Sequence, residues 1–163
     1  MNSKLMIIFF SLAVFGGTRV QLDEKASVVF PETPKKKEAG GQVFYTTTTR
    51  EYVYYAAFAD IHPDVSSADE EVIRTKTYQN YIRGIFSNAE IERLLEEKNF
   101  QANRHDGKQI TYLKNFGNRT NVKVVCRIVL IGARMYQFEI WGLTGEVEKK
   151  AFLKFFDSVE IND

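Results

Sequence analysis

Few residues in this sequence have the types and the spacing that chemistry requires. Asp60 and His62 stand two positions apart at the end of a strand-like run, so both lie on one face, and both types are metal ligands. A zinc site needs three or four ligands, and His105, in a predicted turn, is the one further candidate. We therefore interpret Asp60 as solvent-facing and His62 as the surface end of a strand. The sequence predicts no metal site and no cofactor.

The other groups that could act in catalysis favour structural interpretations. The single cysteine, Cys126, lies in the apolar run VKVVCRIVLI, which predicts a buried thiol without a disulfide. The acidic residues between 69 and 97 alternate with Lys and Arg, as on a solvated helix face. No glycine-rich phosphate loop and no serine nucleophile elbow is present in the sequence. We expect no catalytic residues.

Aromatic residues are abundant, with 8 Tyr, 13 Phe and 1 Trp. Packing in a core and on a sheet is the usual role of such residues. The alternative is that some of them stack on a ligand or a protein partner. The candidates for such a surface are Tyr52, Tyr54, Tyr136 and Trp141.

The first residues have the three-part layout of a secretory signal. A short basic region ending at Lys4 is followed by the apolar run LMIIFFSLAVF and then by small residues from Gly16. This run is short for a membrane-spanning helix, which needs about 20 apolar residues. We predict a signal peptide at 1–17, a linker at 18–25 and one domain at 26–162. The alternative is a buried N-terminal strand or helix of a cytosolic protein.

Export implies a periplasmic or extracellular location without stable membrane insertion once the signal is cleaved. The formal net charge of +1 gives no overall attraction to nucleic acid, so no nucleic-acid partner is expected. Lys35–Lys37 lies in a predicted polar loop and is interpreted as solvated. Asn118 begins a formal glycosylation sequon, which matters only in a eukaryotic secretory pathway.

Alternating apolar residues between turn signals predict a protein rich in strands. In the run 51–61 both alternating sets of side chains are apolar, which indicates a sheet covered on both faces. Hairpin turns are predicted at His105–Gly107 and at Gly132–Ala133. The predicted strands are 26–30, 42–49, 51–61, 100–104, 109–115, 121–131, 134–141 and 158–161.

Helical spacing of apolar residues predicts a long helix that starts near Ala68, capped by Ser66 or Ser67. A second capping pattern at 87–90 predicts a further helical segment that ends near Asn99. Its inward residues would be Ile91, Leu94 and Leu95. A short helix is predicted at 146–156, and 31–41 is predicted to be a loop.

The motifs resemble those of the PsbP-like fold family of small secreted bacterial proteins. They are VVFPETP at 28–34, the tyrosine-rich strand that ends in FADIHP at 58–63, RMYQF at 134–138 and FFDSV at 155–159. The family also resembles the Ran-binding Mog-type proteins and the effector chaperones of type VI secretion. The resemblance implies an α+β fold with an antiparallel sheet flanked by helices on both faces, in an α/β/α sandwich.

The same resemblance implies binding of other proteins without catalysis, and it transfers no functional residue. We therefore expect an exported, non-enzymatic protein-binding or accessory protein of the cell envelope. One alternative is a carrier of a small ligand, with a pocket between helix and sheet near Tyr54 and Trp141. Another is an enzyme of unknown type.

Overall fold

The computed structural model describes residues 16–61 and 69–162, and these two ranges contain two helices and ten strands. The helices are α1 (Glu70–Phe86) and α2 (Lys149–Phe156). The strands are β1 (Thr18–Gln21), β2 (Ala26–Phe30), β3 (Lys35–Ala39), β4 (Gln42–Thr48), β5 (Tyr52–Asp60), β6 (Ile91–Ala102), β7 (His105–Phe116), β8 (Arg119–Ile131), β9 (Arg134–Gly142) and β10 (Glu160–Ile161).

Seven of the strands form one antiparallel sheet in the order β3-β4-β5-β9-β8-β7-β6. The other three form a small antiparallel sheet in the order β1-β2-β10. The predicted α+β class with an antiparallel sheet is confirmed. The hairpin of β8 and β9 turns at Gly132–Ala133, as predicted, and Gly132 has a positive φ of 58° there.

Both faces of the seven-stranded sheet are apolar, as the residue pattern of β5 predicted. Tyr52, Tyr54 and Ala56 point into one cluster of buried side chains, and Val53 points into another. We call these the Phe30 cluster and the Cys126 cluster, and the two sheet faces take the same names. Besides these strand residues, the Phe30 cluster includes Phe155 and Phe156 of α2, whereas the Cys126 cluster includes Tyr78 of α1.

Helix α1 begins one residue after Asp69, whose carboxylate accepts hydrogen bonds from the backbone N–H groups of Glu71 and Val72. Aspartate is among the preferred N-cap residues, because its side chain satisfies N–H groups that have no partner in the first turn. The predicted caps, Ser66 and Ser67, lie outside the described residues.

The predicted helical segment after residue 87 is wrong. Helix α1 ends at Phe86, and the hydroxyl of Ser87 donates to the carbonyl of Gly84 at 2.7 Å. The chain then enters β6, where the supposedly inward Leu94 and Leu95 are exposed. Pairing of β6 with β7 along their length outweighs the local helical pattern, a common outcome when tertiary contacts oppose propensity.

The turn between β6 and β7 was also predicted too far along the chain, at His105–Gly107. It lies at Asn103–Arg104, where Asn103 takes the left-handed conformation with φ of 56°. Gly107 lies inside β7. A Cβ at this position would meet the ring of Phe100 at 2.5 Å and the carbonyl oxygen of Ile128 at 2.7 Å. Its lack of a side chain therefore serves close packing and not a turn.

Two strands occupy stretches for which no strand was predicted. Residues 18–25 were predicted to be a linker, but Thr18–Gln21 pairs with β2 as β1. In the predicted loop 31–41, β3 pairs with β4 through a turn at Gly40 and Gly41, both with positive φ. Edge strands are paired on one side only, so their exposed sequences lack the apolar pattern on which the prediction relied. The predicted helix 146–156 and strand 158–161 are present in shorter form, as α2 and β10.

Candidate functional site

The structure separates the four residues predicted to form a ligand or partner surface. Tyr52, Tyr54 and Tyr136 belong to the Phe30 cluster and are buried, Tyr136 completely. Trp141 packs against the Cys126 cluster on the opposite face of the sheet and is half-buried. Tyr54 and Trp141 therefore do not line a common pocket, because their side chains lie on opposite faces of the sheet.

Tyr136 takes part in a hydrogen-bond network that connects the loop after β1 to the sheet. Its hydroxyl donates to Oδ2 of Asp23 at 2.6 Å, and Nη1 of Arg134 donates to the same oxygen at 2.6 Å. Arg134 also donates through Nε to Asp60 at 2.7 Å. This arrangement gives Asp60 a structural partner.

His62, the other half of the suggested metal pair, lies outside the described residues, and in the described ranges no group of three or more His, Cys, Asp and Glu could hold a metal ion.

A cleft of about 520 Å³ lies between α1 and the Cys126 face of the sheet. This volume lies within the range of small-molecule sites, about 300–1,000 Å³. The α1 side is formed by Tyr81, Ile85 and neighbouring polar residues. The floor is formed by the sheet residues Gln42, Tyr55, Tyr112, Lys114, Gln137, Glu139 and Trp141.

Glu139 is the centre of this floor. It is only 3% exposed, and it accepts hydrogen bonds from the O–H or N–H groups of three neighbouring side chains. Oε1 accepts from the hydroxyl of Tyr112 at 3.0 Å and from the amide of Gln137 at 2.6 Å, and Oε2 accepts from the indole N–H of Trp141 at 2.6 Å. A buried carboxylate is costly unless hydrogen bonds replace its hydration, and these donors supply that replacement.

Sequence reasoning missed Gln137 and Glu139. The signal was present, because Gln137, Glu139 and Trp141 alternate along β9 and so share one face of an otherwise apolar strand. Two strongly polar residues inside a strand of the central sheet indicate a buried network. The prediction gave weight to the aromatic residues of this strand and none to the polar residues between them.

Three tyrosines surround Glu139. Burial raises the pKa of Tyr55, Tyr81 and Tyr112, and the negative charge of Glu139 raises each of them further. They are therefore neutral at physiological pH and able to donate. Tyr81 donates to Oε1 of Gln137 at 2.6 Å, which connects α1 to the network. Among the described residues, the hydroxyl of Tyr55 has no hydrogen-bond partner.

Cys126 lies beside the same carboxylate and is completely buried, as the sequence predicted. Burial raises the pKa of its thiol, and the charge of Glu139 and a hydrogen bond to it act in the same direction. A nucleophilic cysteine needs the opposite conditions, namely access and a lowered pKa. The thiol here is a packed, protonated donor.

At one end of the cleft, apolar side chains come to the surface beside Trp141. The Nζ of Lys114 lies 4.1 Å from the centre of the Trp141 ring and 3.4 Å from Glu90, and the ring of Phe116 lies 5.1 Å from that of Trp141. Leu94 lies opposite Tyr112 in the β6–β7 ladder, which places it on the same face. We call this surface the Trp141 corner, and its residues are Ile91, Leu94, Lys114, Phe116 and Trp141.

In residues 16–61 and 69–162, neither helix combines the length and the apolar character that crossing a membrane requires. Asn118 of the suggested sequon is exposed, in the turn between β7 and β8.

Comparison with known proteins shows the fold. No family model and no curated protein matches the chain. Among solved structures, the chain is similar to cyanobacterial PsbP (CyanoP) from Synechocystis sp. PCC 6803, with a TM-score of 0.62 and 11% sequence identity. The similarity covers 93% of this chain and 96% of that one. The chain therefore has a PsbP-like fold, as its motifs implied.

Proposed function

We propose that this protein is an exported, non-enzymatic accessory protein of the cell envelope that binds a protein partner through the Trp141 corner. The observation that carries the proposal is the concentration of exposed apolar side chains there. Large exposed apolar residues are few in the described ranges: Val72, Leu94, Leu95, Phe116 and Leu153. Two of the five, Leu94 and Phe116, belong to the corner, where Ile91 and Trp141 are also partly exposed.

The chemistry of the corner suits protein recognition. Trp141 and Phe116 supply rigid aromatic area, and aromatic residues dominate the energy of many protein interfaces. Ile91 and Leu94 extend the apolar strip along β6. Direct strand addition to β6 is disfavoured, because its pairing with β7 has two register shifts and because it carries many charged side chains, both of which protect an edge from pairing. The partner is therefore expected to pack against side chains.

The polar groups of the cleft support a non-enzymatic role. Both oxygens of Glu139 already accept hydrogen bonds from neighbouring side chains, and Gln137 both donates and accepts within the network. A general acid or base must have access to a substrate proton, whereas these groups are occupied by one another. The network stabilises the sheet and holds the Trp141 ring in place.

We also propose that the protein is exported and that its helices cover both faces of the sheet. Export to the periplasm or the extracellular space is supported by the basic, apolar and small-residue segments of 1–17. An α/β/α sandwich is supported by the two clusters, since Tyr78 of α1 joins one and Phe155 of α2 joins the other.

The test is photo-cross-linking from single positions in the tagged protein, expressed in its native envelope. A cross-linking residue replaces Leu94 in one variant and Leu153 of α2 in the matched control. Both leucines are similarly exposed, at 44% and 40%, but the control lies away from the corner. We expect one stoichiometric protein adduct from position 94 and none from position 153.

Loss of that adduct on adding Phe116→Glu to the position-94 variant would assign the contact to the corner. Equal adducts from both positions, or none from position 94, would overturn the proposal. Mass spectrometry of the mature N-terminus tests export in the same sample, because cleavage near residue 17 is expected.

A carrier of a small ligand is the second candidate, and the cleft favours it. Its volume of about 520 Å³ suits a small molecule, and the hydroxyl of Tyr55, which has no hydrogen-bond partner within residues 16–61 and 69–162, offers a polar contact. Native mass spectrometry of protein purified gently from its envelope tests this role. A bound mass that disappears in a Gly84→Phe variant, which places a large side chain beside the cleft, would support a carrier. Ligand-free protein would exclude it.

A further inference from the structure

A second site lies on the Phe30 face of the sheet, around Arg127 of β8. Its side chain shares a face with Val125 and Val129 of the Phe30 cluster. The guanidinium carbon lies 4.7 Å from the ring centre of Phe100, 4.9 Å from that of Phe152 and 4.6 Å from that of Phe156. The cation is therefore bounded by three aromatic rings that come from β6 and α2.

The hydrogen-bonding capacity of Arg127 is largely unused. Its Nε donates to Oε1 of Gln109, directly opposite on β7, at 2.9 Å. A guanidinium has five N–H donors, and its two terminal nitrogens have no partner among the described residues. In the same ranges no carboxylate lies within 4.0 Å of it.

Its environment favours an anion. Burial lowers the pKa of Arg127, and the more distant charge of Asp157 opposes this only in part. Arginine remains charged throughout the physiological range, so this site keeps a partly desolvated positive charge that no anionic side chain contacts in the part of the chain that the structure describes. The attraction of a guanidinium for a carboxylate grows as water is removed from around it.

A pocket of about 260 Å³ adjoins the guanidinium. Its lining combines the apolar side chains of Phe100, Val129, Phe138 and Phe156 with Arg127 and the polar residues Gln101, Asn103 and Asp157. We propose that this pocket binds a carboxylate carried on a small apolar group, with the terminal nitrogens of Arg127 holding the carboxylate and the phenylalanine rings enclosing the apolar part.

The pocket distinguishes between classes of anion. A carboxylate matches the planar fork of arginine in a bidentate pair. Asp157 lines the same pocket and contributes a negative charge, which disfavours phosphate and other dianions. The small volume limits the apolar part to about the size of one phenyl ring or one branched aliphatic chain.

Phenylacetate is the probe, and phenylacetamide is its neutral matched control. Each is titrated into the ¹⁵N-labelled mature protein and followed by NMR. We expect saturable shifts confined to signals around Arg127, Phe100 and Asp157. The amide should bind at least about tenfold more weakly, because it lacks the charge that pairs with the guanidinium.

Arg127→Lys keeps the positive charge but removes the fork, and we expect it to weaken phenylacetate binding about tenfold or more. A tripeptide acid ending in Phe, compared with its amide, distinguishes a chain terminus from a free carboxylate. Tighter binding of the peptide acid would assign the site to a terminus, and tighter binding of phenylacetate would assign it to a free acid.

Equal binding of phenylacetate and phenylacetamide, or absence of saturable shifts in the wild-type protein, would overturn the proposal. In that case Arg127 would serve only to hold β6 and α2 together through its ring contacts. Leu94→Glu is expected to leave phenylacetate binding unchanged, because Leu94 lies on the opposite face, so this site and the Trp141 corner can fail independently.

Discussion

The indole N–H of Trp141 donates a 2.6 Å hydrogen bond to Oε2 of Glu139, two residues earlier on the same face of β9. This bond orients the only tryptophan of the chain, whose ring then lies between Lys114 and Phe116. The shape of the Trp141 corner therefore depends on a buried carboxylate that no partner would touch.

Replacement of Glu139 tests how much the network around this carboxylate stabilises the fold. Glu139→Leu removes the acceptor for Tyr112, Gln137 and Trp141, and each buried donor left without a partner costs about 1–3 kcal/mol. We expect a loss of about 3 kcal/mol or more in the free energy of unfolding, measured with urea. Glu139→Gln keeps one acceptor oxygen and should lose about half as much.

The control is Glu92→Leu, a change of the same type at an exposed position of β6. It should alter the free energy of unfolding by less than about 0.5 kcal/mol. If Glu139→Leu were as stable as this control, the network would not be needed to hold the fold.

Replacing each of two glycines by alanine should change the stability of the protein in opposite directions. A Cβ at Gly107 would meet Phe100 and a backbone oxygen of Ile128, so Gly107→Ala should destabilise the protein by about 1–3 kcal/mol. Gly84 lies within α1 with open space around it, so Gly84→Ala should stabilise by about 0.5–1 kcal/mol. Thermal unfolding of both variants checks the pair. A stabilising Gly107→Ala would contradict the close packing of β6 on β7.

The central strands of the fold were predictable from sequence, and its exposed edge was not. The alternation of Tyr52, Val53 and Tyr54 revealed two buried faces, because strands inside a sheet carry their pattern in their own residues. The edge strand β6 has no such pattern. Leu94 and Leu95 suggested a helix, and only pairing with β7, which lies later in the chain, makes this segment a strand.

The candidate site was predicted only in part. Trp141 was identified, but it was grouped with Tyr52, Tyr54 and Tyr136, which the structure buries on the other face. The sequence alone could have separated Tyr136 from Trp141. They lie five residues apart on one strand, and strand residues an odd number of positions apart point to opposite faces. The contribution of α1 through Tyr81 could not be read from sequence, because it depends on how the helix lies across the sheet.

Cys126 should be unreactive in the native protein. It is completely buried, and burial raises the pKa of its thiol, so the thiolate needed for reaction with Ellman's reagent is scarce and inaccessible. We expect labelling in native buffer only at the rate of unfolding, and complete, rapid labelling in denaturant. Rapid labelling of the native protein would show that the Cys126 cluster opens readily.

Asp23 should make stability depend on acid pH. Burial raises the pKa of this carboxyl, but the hydrogen bonds from Tyr136, Arg134 and the backbone N–H groups of Lys25 and Ala26 outweigh burial and hold the pKa below its usual 3.8. The native state therefore favours the charged form. The resulting stabilisation is present above the pKa of this carboxyl in the unfolded chain and is lost as the pH falls through its lower pKa in the folded state.

Asp23→Asn removes this titration. We expect the variant to be less stable than the wild type at pH 7, and the difference between them to shrink as the pH falls from about 5 to below the native pKa of Asp23. Urea unfolding at a series of pH values measures both curves. Glu24→Gln, at the exposed neighbouring position, is the matched control and should follow the wild type. A constant difference between Asp23→Asn and the wild type down to the lowest pH would mean that Asp23 acts through shape and not through its charge.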